Sequence, residues 1–86
     1  MSAAPFLATR LDNETALLDL NRAALILLDE WSAQVWQACA GRTLDELCAS
    51  LQGSRRRLRR ALRDLEAAGL VRQENAGWTR APAQHV

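Results

Sequence analysis

Apolar positions follow a helical rhythm most plainly from Ser54 to Leu70, SRRRLRRALRDLEAAGL. Leu58, Leu62 and Leu65, with Ala61 and Ala68 beside them, recur at i, i+3 and i+4 and predict a helix with one apolar face. Ser54, after Gly53, offers its hydroxyl as the N-cap. Gly69 suits the left-handed position at the other end, with Leu65 and Leu70 at the spacing of a Schellman contact.

The same rhythm, more briefly, marks two helices upstream. Asp29 caps the first, which is expected to run to Ala40 with Trp31, Val35 and Cys39 on one stripe, Trp36 flanking it and Gly41 ending it. Thr43-Leu44-Asp45-Glu46 has the form of a capping box, followed by Leu44, Leu47, Cys48 and Leu51 as an apolar face. Gln52-Gly53 then makes a tight turn into the arginine-rich helix.

Elsewhere the rhythm shortens. Phe6 to Leu11 alternates weakly and predicts a short strand closed by the turn-prone Asp12-Asn13. Thr15 to Leu28, TALLDLNRAALILL, fits a helical stripe through Leu17, Leu20, Ala24, Leu27 and Leu28. It fits equally a hairpin of Ala16 to Leu20 and Ala23 to Leu28 around a two-residue Asn21-Arg22 turn, and periodicity alone leaves both open. Leu70 to Glu74 and Trp78 to Arg80 flank Asn75-Ala76-Gly77, a hairpin with Gly77 expected at its left-handed position. Three helices, the last two joined tightly, followed by a hairpin, predict a winged helix-turn-helix of the α+β class. Met1 to Pro5 is expected to be a disordered start, residues 6–80 one domain, and Ala81 to Val86 a flexible tail.

Charge adds an asymmetry that the net value of +1 hides. Residues 1–52 carry three arginines against seven acids, and residues 53–86 eight arginines against three acids. There is no lysine. Arg55, Arg56 and Arg57 crowd the first turn of the third helix, where the macrodipole disfavours cations by roughly 0.3–1 kcal/mol each. Arg55–Arg59, Arg56–Arg60 and Arg59–Arg63 add like-charge repulsion at i,i+4, relieved locally only by Arg60–Asp64 and Arg63–Glu66. A helix set against its own electrostatics suggests an anionic partner; the alternative is a solvated face built from a good helix former that is the chain's default cation.

No secretory signal is visible at the N-terminus and no apolar run approaches a membrane span, so a cytoplasmic protein without membrane attachment is expected. Cys39 and Cys48 have neither metal-ligand nor redox spacing and fit reduced core cysteines on adjacent helices. No metal or cofactor site can be assembled, and no catalytic set: the single histidine, His85, falls in the expected tail, and there is no tyrosine or phosphate-binding glycine loop. Binding without catalysis is the expectation, by a chain expected to be a monomer. One candidate ligand is DNA, with Arg55, Arg56 and Arg57 at the start of the third helix entering the major groove and Arg72 or Arg80 reaching backbone from the wing. The acidic front half and the pI of about 7.9 speak against it.

A second candidate comes from residues 16–51, ALLDLNRAALILLDEWSAQVWQACAGRTLDELCASL. Leu17 to Leu20, Ala24 to Leu28, Ala33 to Trp36 (A-x-x-W) and Gly41 to Leu47 (G-x-T-x-x-E-L) stand in the order and spacing of the PqqD-like family, and the likeness continues through Leu65 to Val71. The chain thus resembles the recognition elements of pathways that make ribosomally synthesised and post-translationally modified peptides (RiPPs). The resemblance implies a three-stranded antiparallel sheet packed on the winged helix-turn-helix, which favours strands for Ala16 to Leu28. It also implies a precursor's leader peptide adding as a strand beside the third strand, against the third helix. Site residues implied are Ala23, Ala24, Leu25, Ile26, Leu27 and Leu28 on that strand, with Arg55, Arg56, Arg59, Arg60 and Arg63 supplying counter-charge to acidic leader residues. A small chain of this kind looks most like the separate leader-binding proteins of lasso-peptide pathways, peptide chaperones that serve a leader peptidase and a cyclase. The link Gln52-Gly53-Ser54 is shorter than is common in the family.

Overall fold

A computed structural model describes residues 5–85. The chain runs through three strands, β1 (Phe6–Leu11), β2 (Glu14–Asp19) and β3 (Ala24–Leu28), into helix α1 (Glu30–Ala38). A short β4 (Ala40–Arg42) leads to α2 (Leu44–Ser50) and α3 (Arg55–Ala67), and β5 (Val71–Glu74), β6 (Gly77–Arg80) and β7 (Ala83–His85) complete it. The result is a mixed α+β structure with three helices and two sheets. One sheet has the order β3-β2-β1-β7 and the other β4-β6-β5.

The helix signals act as their chemistry requires. Asp29 accepts from the Ser32 amide at 2.8 Å, Ser54 from the Arg57 amide at 3.1 Å, and Thr43 and Glu46 close both arms of the capping box. At the end of α3, Gly69 has φ +77°. The Leu70 amide reaches the Leu65 carbonyl at 2.9 Å and the Gly69 amide the Glu66 carbonyl at 3.0 Å, the paired bonds of a Schellman motif. Leu58, Ala61, Leu62 and Leu65 of α3 are buried with Val35 and Trp36 of α1, Leu47 of α2, and Phe6, Ala8 and Leu17 of the first sheet. The Trp36 indole donates to the Leu70 carbonyl at 3.2 Å, satisfying a buried polar group at the centre of this core.

Several expectations need correction. Thr15 to Leu28 is strand, turn and strand, but the turn takes four residues rather than Asn21-Arg22 alone. Asp19 accepts from the Asn21 and Arg22 amides, and Ala23 has φ +53°, so Ala23 belongs to the turn and not to β3. α1 stops at Ala38, two residues before Ala40, because Cys39 is already extended and residues 40–42 pair with β6; Gly41 is a strand residue. In the second hairpin the left-handed residues are Asn75 and Ala76, at φ +50° and +66°, a two-residue turn whose twist matches its strands. Gly77 pairs with Glu74 instead, and is glycine because a Cβ there would lie 2.5 Å from the Gly41 carbonyl oxygen. The first sheet gains a fourth strand. Ala83 to His85, within the expected tail, pairs parallel with Phe6 to Ala8, and the His85 ring lies 6.2 Å from that of Trp36. The second sheet gains β4. The expected disorder of residues 1–5 concerns mostly residues 1–4, which with Val86 lie outside those described.

Candidate functional site

β3 occupies one end of its sheet, so one side of its backbone has no strand partner among the described residues. Pairing with β2 divides its side chains between two faces. Thr15↔Leu28, Leu17↔Ile26 and Asp19↔Ala24 lie on the inner face, towards the helices, whereas Ala16↔Leu27 and Leu18↔Leu25 lie on the outer face. Leu28 is buried, Ala24 and Ile26 half-buried, and Leu25 and Leu27 exposed.

Beside this edge runs a groove of about 350 Å³ between β3 and the C-terminal half of α3. Ile26, Leu27 and Leu28 form one wall and Asp64, Leu65 and Ala68 the other, with Glu14, Asp29, Ser32 and Leu70 at its margins. The lining is apolar in the middle and carboxylate at the rim. Asp29 is held below its ordinary carboxylate range, first by the Ser32 backbone amide, then by the Ser32 hydroxyl and the nearby Arg57 guanidinium. Such a groove accepts an extended chain: a ladder of main-chain bonds on one side and apolar pockets for alternate side chains.

The arginines lie elsewhere. Arg55, Arg56, Arg59, Arg60 and Arg63, with Asp64, line an open depression of about 650 Å³ on the exposed face of α3. None of the five lines the β3 groove, and Asp64 alone is common to the two. Arg55 is ion-paired with Asp45 at the start of α2, and the hydrogen bond to that carboxylate raises the Arg55 pKa above its usual value. Arg57, at the β3 side of the helix, lies 4.6 Å over the Trp31 ring as a cation–π contact. Arg59 and Arg63 also border a third hollow, of about 370 Å³, between α3 and the β5–β6 hairpin, floored by Leu44, Leu62 and Trp78.

Leu65 and Ala68 belong to the apolar stripe read from the sequence, and Asp64 is the groove residue of α3 that the stripe left unmarked. It lies next to Leu65 and one turn before Ala68, so helical spacing placed it at the margin of the buried face. Which flank faces β3 is decided by packing.

Among the described residues no three of His, Cys, Asp and Glu gather as a metal site, and no helix is long and apolar enough to cross a membrane. Cys39 and Cys48 are free thiols, Cys39 buried and Cys48 half-buried. Burial pushes the Cys39 pKa up to about 11, with Arg80 opposing it weakly, so this thiol is a poor nucleophile.

No curated protein and no solved structure matches the chain. The family model described as coenzyme PQQ synthesis protein D (PqqD) matches residues 14–71, from β2 through the first residue of β5. That span is two thirds of the chain and contains β3, α3 and the groove between them. By that match, the chain belongs to the PqqD family.

Proposed function

We propose that the chain is a non-catalytic RiPP recognition element that binds the leader segment of a ribosomally made precursor as an added strand on β3. The leader lies in the groove against α3 and is presented there to modifying enzymes in the cytoplasm, a leader peptidase and a cyclase in the lasso-peptide version of this reading. The frame is a winged helix-turn-helix, with α2 and α3 as the helix pair and β5–β6 as the wing. The observation that carries the reading is the edge of β3, which no strand among the described residues pairs, bordering a groove whose opposite wall is Asp64, Leu65 and Ala68. An exposed apolar edge is ordinarily an aggregation hazard, and a strand-shaped ligand gives it a use.

The arginine depression supports a second reading, in which α3 docks on DNA. Two of the three arginines in its first turn are already engaged, Arg55 by Asp45 and Arg57 by Trp31, which leaves fewer for phosphates. In the leader reading the arginine face attracts acidic residues that flank the docked strand and adds little to affinity.

Titration with a fluorescent leader peptide, encoded by a precursor gene beside this one, tests the proposal. Ala68→Glu sets a charge into the groove and is expected to weaken binding at least ~10-fold, the equivalent of about 1.4 kcal/mol. Arg56→Glu, on the outer depression, is expected to cost far less. Unchanged affinity in Ala68→Glu, or tight binding to duplex DNA with none to the leader, contradicts the proposal.

A further inference from the structure

The hollow between α3 and the β5–β6 hairpin takes no part in strand addition on β3. Its floor is Leu44, Leu62 and Trp78, with Leu62 buried and the other two half-buried. It is joined to the β3 groove through the arginine depression. Asp64 lines both groove and depression, and Arg59 and Arg63 line both depression and hollow. At ~100° per residue, Asp64, Arg60, Arg63, Arg59 and Glu66 follow one another around half of the helix. Arg56, Arg59, Arg60 and Arg63 form no ion pair among the described residues.

We propose that the leader peptide continues from its strand on β3 around α3, laying acidic residues on the arginines and seating one large apolar side chain in the Trp78 hollow. This rests on the strand-addition reading and adds a second anchor to it. Charge complementarity selects the crossing segment. Cations without partners that repel one another at i,i+4 gain from each carboxylate laid between them. The positive band is also narrow, with Asp64 closing it on the groove side and Glu66 on the hollow side. A few acidic residues fit between those carboxylates, whereas a duplex laid over the helix would meet both. The far end is apolar: an indole and two leucines beside the stems of Arg59 and Arg63 offer a phosphate little and a large apolar side chain a seat. Reach sets the spacing. Half the circumference of a helix ~10–12 Å across is ~16–19 Å, which an extended chain at ~3.3 Å per residue crosses in roughly six to eight residues once its own thickness is included. The leader is thereby specified as a class: an apolar strand, a short crossing rich in Asp and Glu, and one large apolar residue beyond it.

NMR of the isotope-labelled full chain, titrated with the leader peptide of the precursor encoded beside it, tests the inference through the Trp78 indole N–H. The expected result is that the indole moves with the same dissociation constant as the Leu28 amide. Leader peptides shortened stepwise from each end are expected to part the two signals. In one series the indole falls silent and affinity drops at least ~5-fold while Leu28 still responds. Trp78→Ala, checked for native circular dichroism, is expected to weaken the full leader by the same factor and to leave the shortened one unchanged, a pattern that a merely structural role would not give. Should that variant unfold, Gln73→Glu decides: it sets a carboxylate at the exposed rim of the hollow and is expected to weaken the full leader alone. A leader that moves Leu28 and leaves the Trp78 indole still overturns this inference and spares the strand. A leader that does not move Leu28 overturns the strand-addition reading and this inference with it, whatever the indole does.

Discussion

Asp29 and Glu46 show how much a single side chain specifies here. Each is a helix-cap carboxylate whose pKa lies below its ordinary 3.8 or 4.5, chiefly through the backbone amides of Ser32 and Thr43. A carboxylate with a depressed folded pKa contributes stability that is present above its unfolded pKa and is lost as pH falls through the folded one. Thermal stability is therefore expected to decline below about pH 4.5, and Asp29→Asn, which keeps a cap but not the titration, should shrink that decline in melting curves. Cys39 has the opposite sign: its folded pKa of about 11 is raised from 9.0, so its contribution is whole below pH 9 and is lost towards pH 11. In the native protein Cys39 should react with thiol reagents far more slowly than after denaturation, as followed by absorbance of the released thiolate; equal rates would remove it from the core. Gly77→Ala should cost more than ~2 kcal/mol in denaturant titration, because the clash is with backbone at Gly41 and neither strand can yield without losing pairing. The caps were legible because their chemistry is local: an oxygen at one residue and an amide three residues on. The left-handed residues Ala23 and Ala76 were not, since alanine carries no mark of positive φ and tertiary pairing imposes it.

Among the elements, α2 and α3 were plain from period, cap and stop, and β1 and the second hairpin from alternation and turn residues. β7 was hidden because its pairing is parallel and spans nearly the whole chain, from Phe6 to Ala83, with no hairpin turn to announce it. β4 is only three residues long and exists through β6. The groove was half legible. β3 emerged as its wall, but the arginines read as the opposite wall face outward, because helical period assigns a buried stripe without saying which neighbour covers each flank. β3 carries the next prediction. Backbone N–H groups alternate along an edge strand between the paired and the open side, so proline at Leu25, Ile26 or Leu27 must in at least one case remove an outward donor. Variants that keep native circular dichroism should lose leader affinity at that position. Normal binding in all three would exclude this edge as the docking strand.

For the whole molecule the central question is whether α3 serves a peptide held beside it or a polyanion laid across it. Charge is segregated along the chain, with the basic excess on α3 and the acids concentrated before it and around the groove rim. Four phosphate contacts would give log K against log salt a slope of roughly −3.6. Strand addition beside exposed ion pairs gives a shallow slope and a complex that survives roughly 0.5 M salt, where charges are screened within ~4–5 Å. The most direct measurement follows backbone amide shifts of the isotope-labelled chain by NMR during titration with the leader peptide. The account predicts the largest changes at Ala24 to Leu28 and at Asp64 to Ala68, the two walls of the groove, with smaller ones along Arg56 and Arg60. Shifts confined to the start of α3 and the β5–β6 turn, with β3 unmoved, would contradict it.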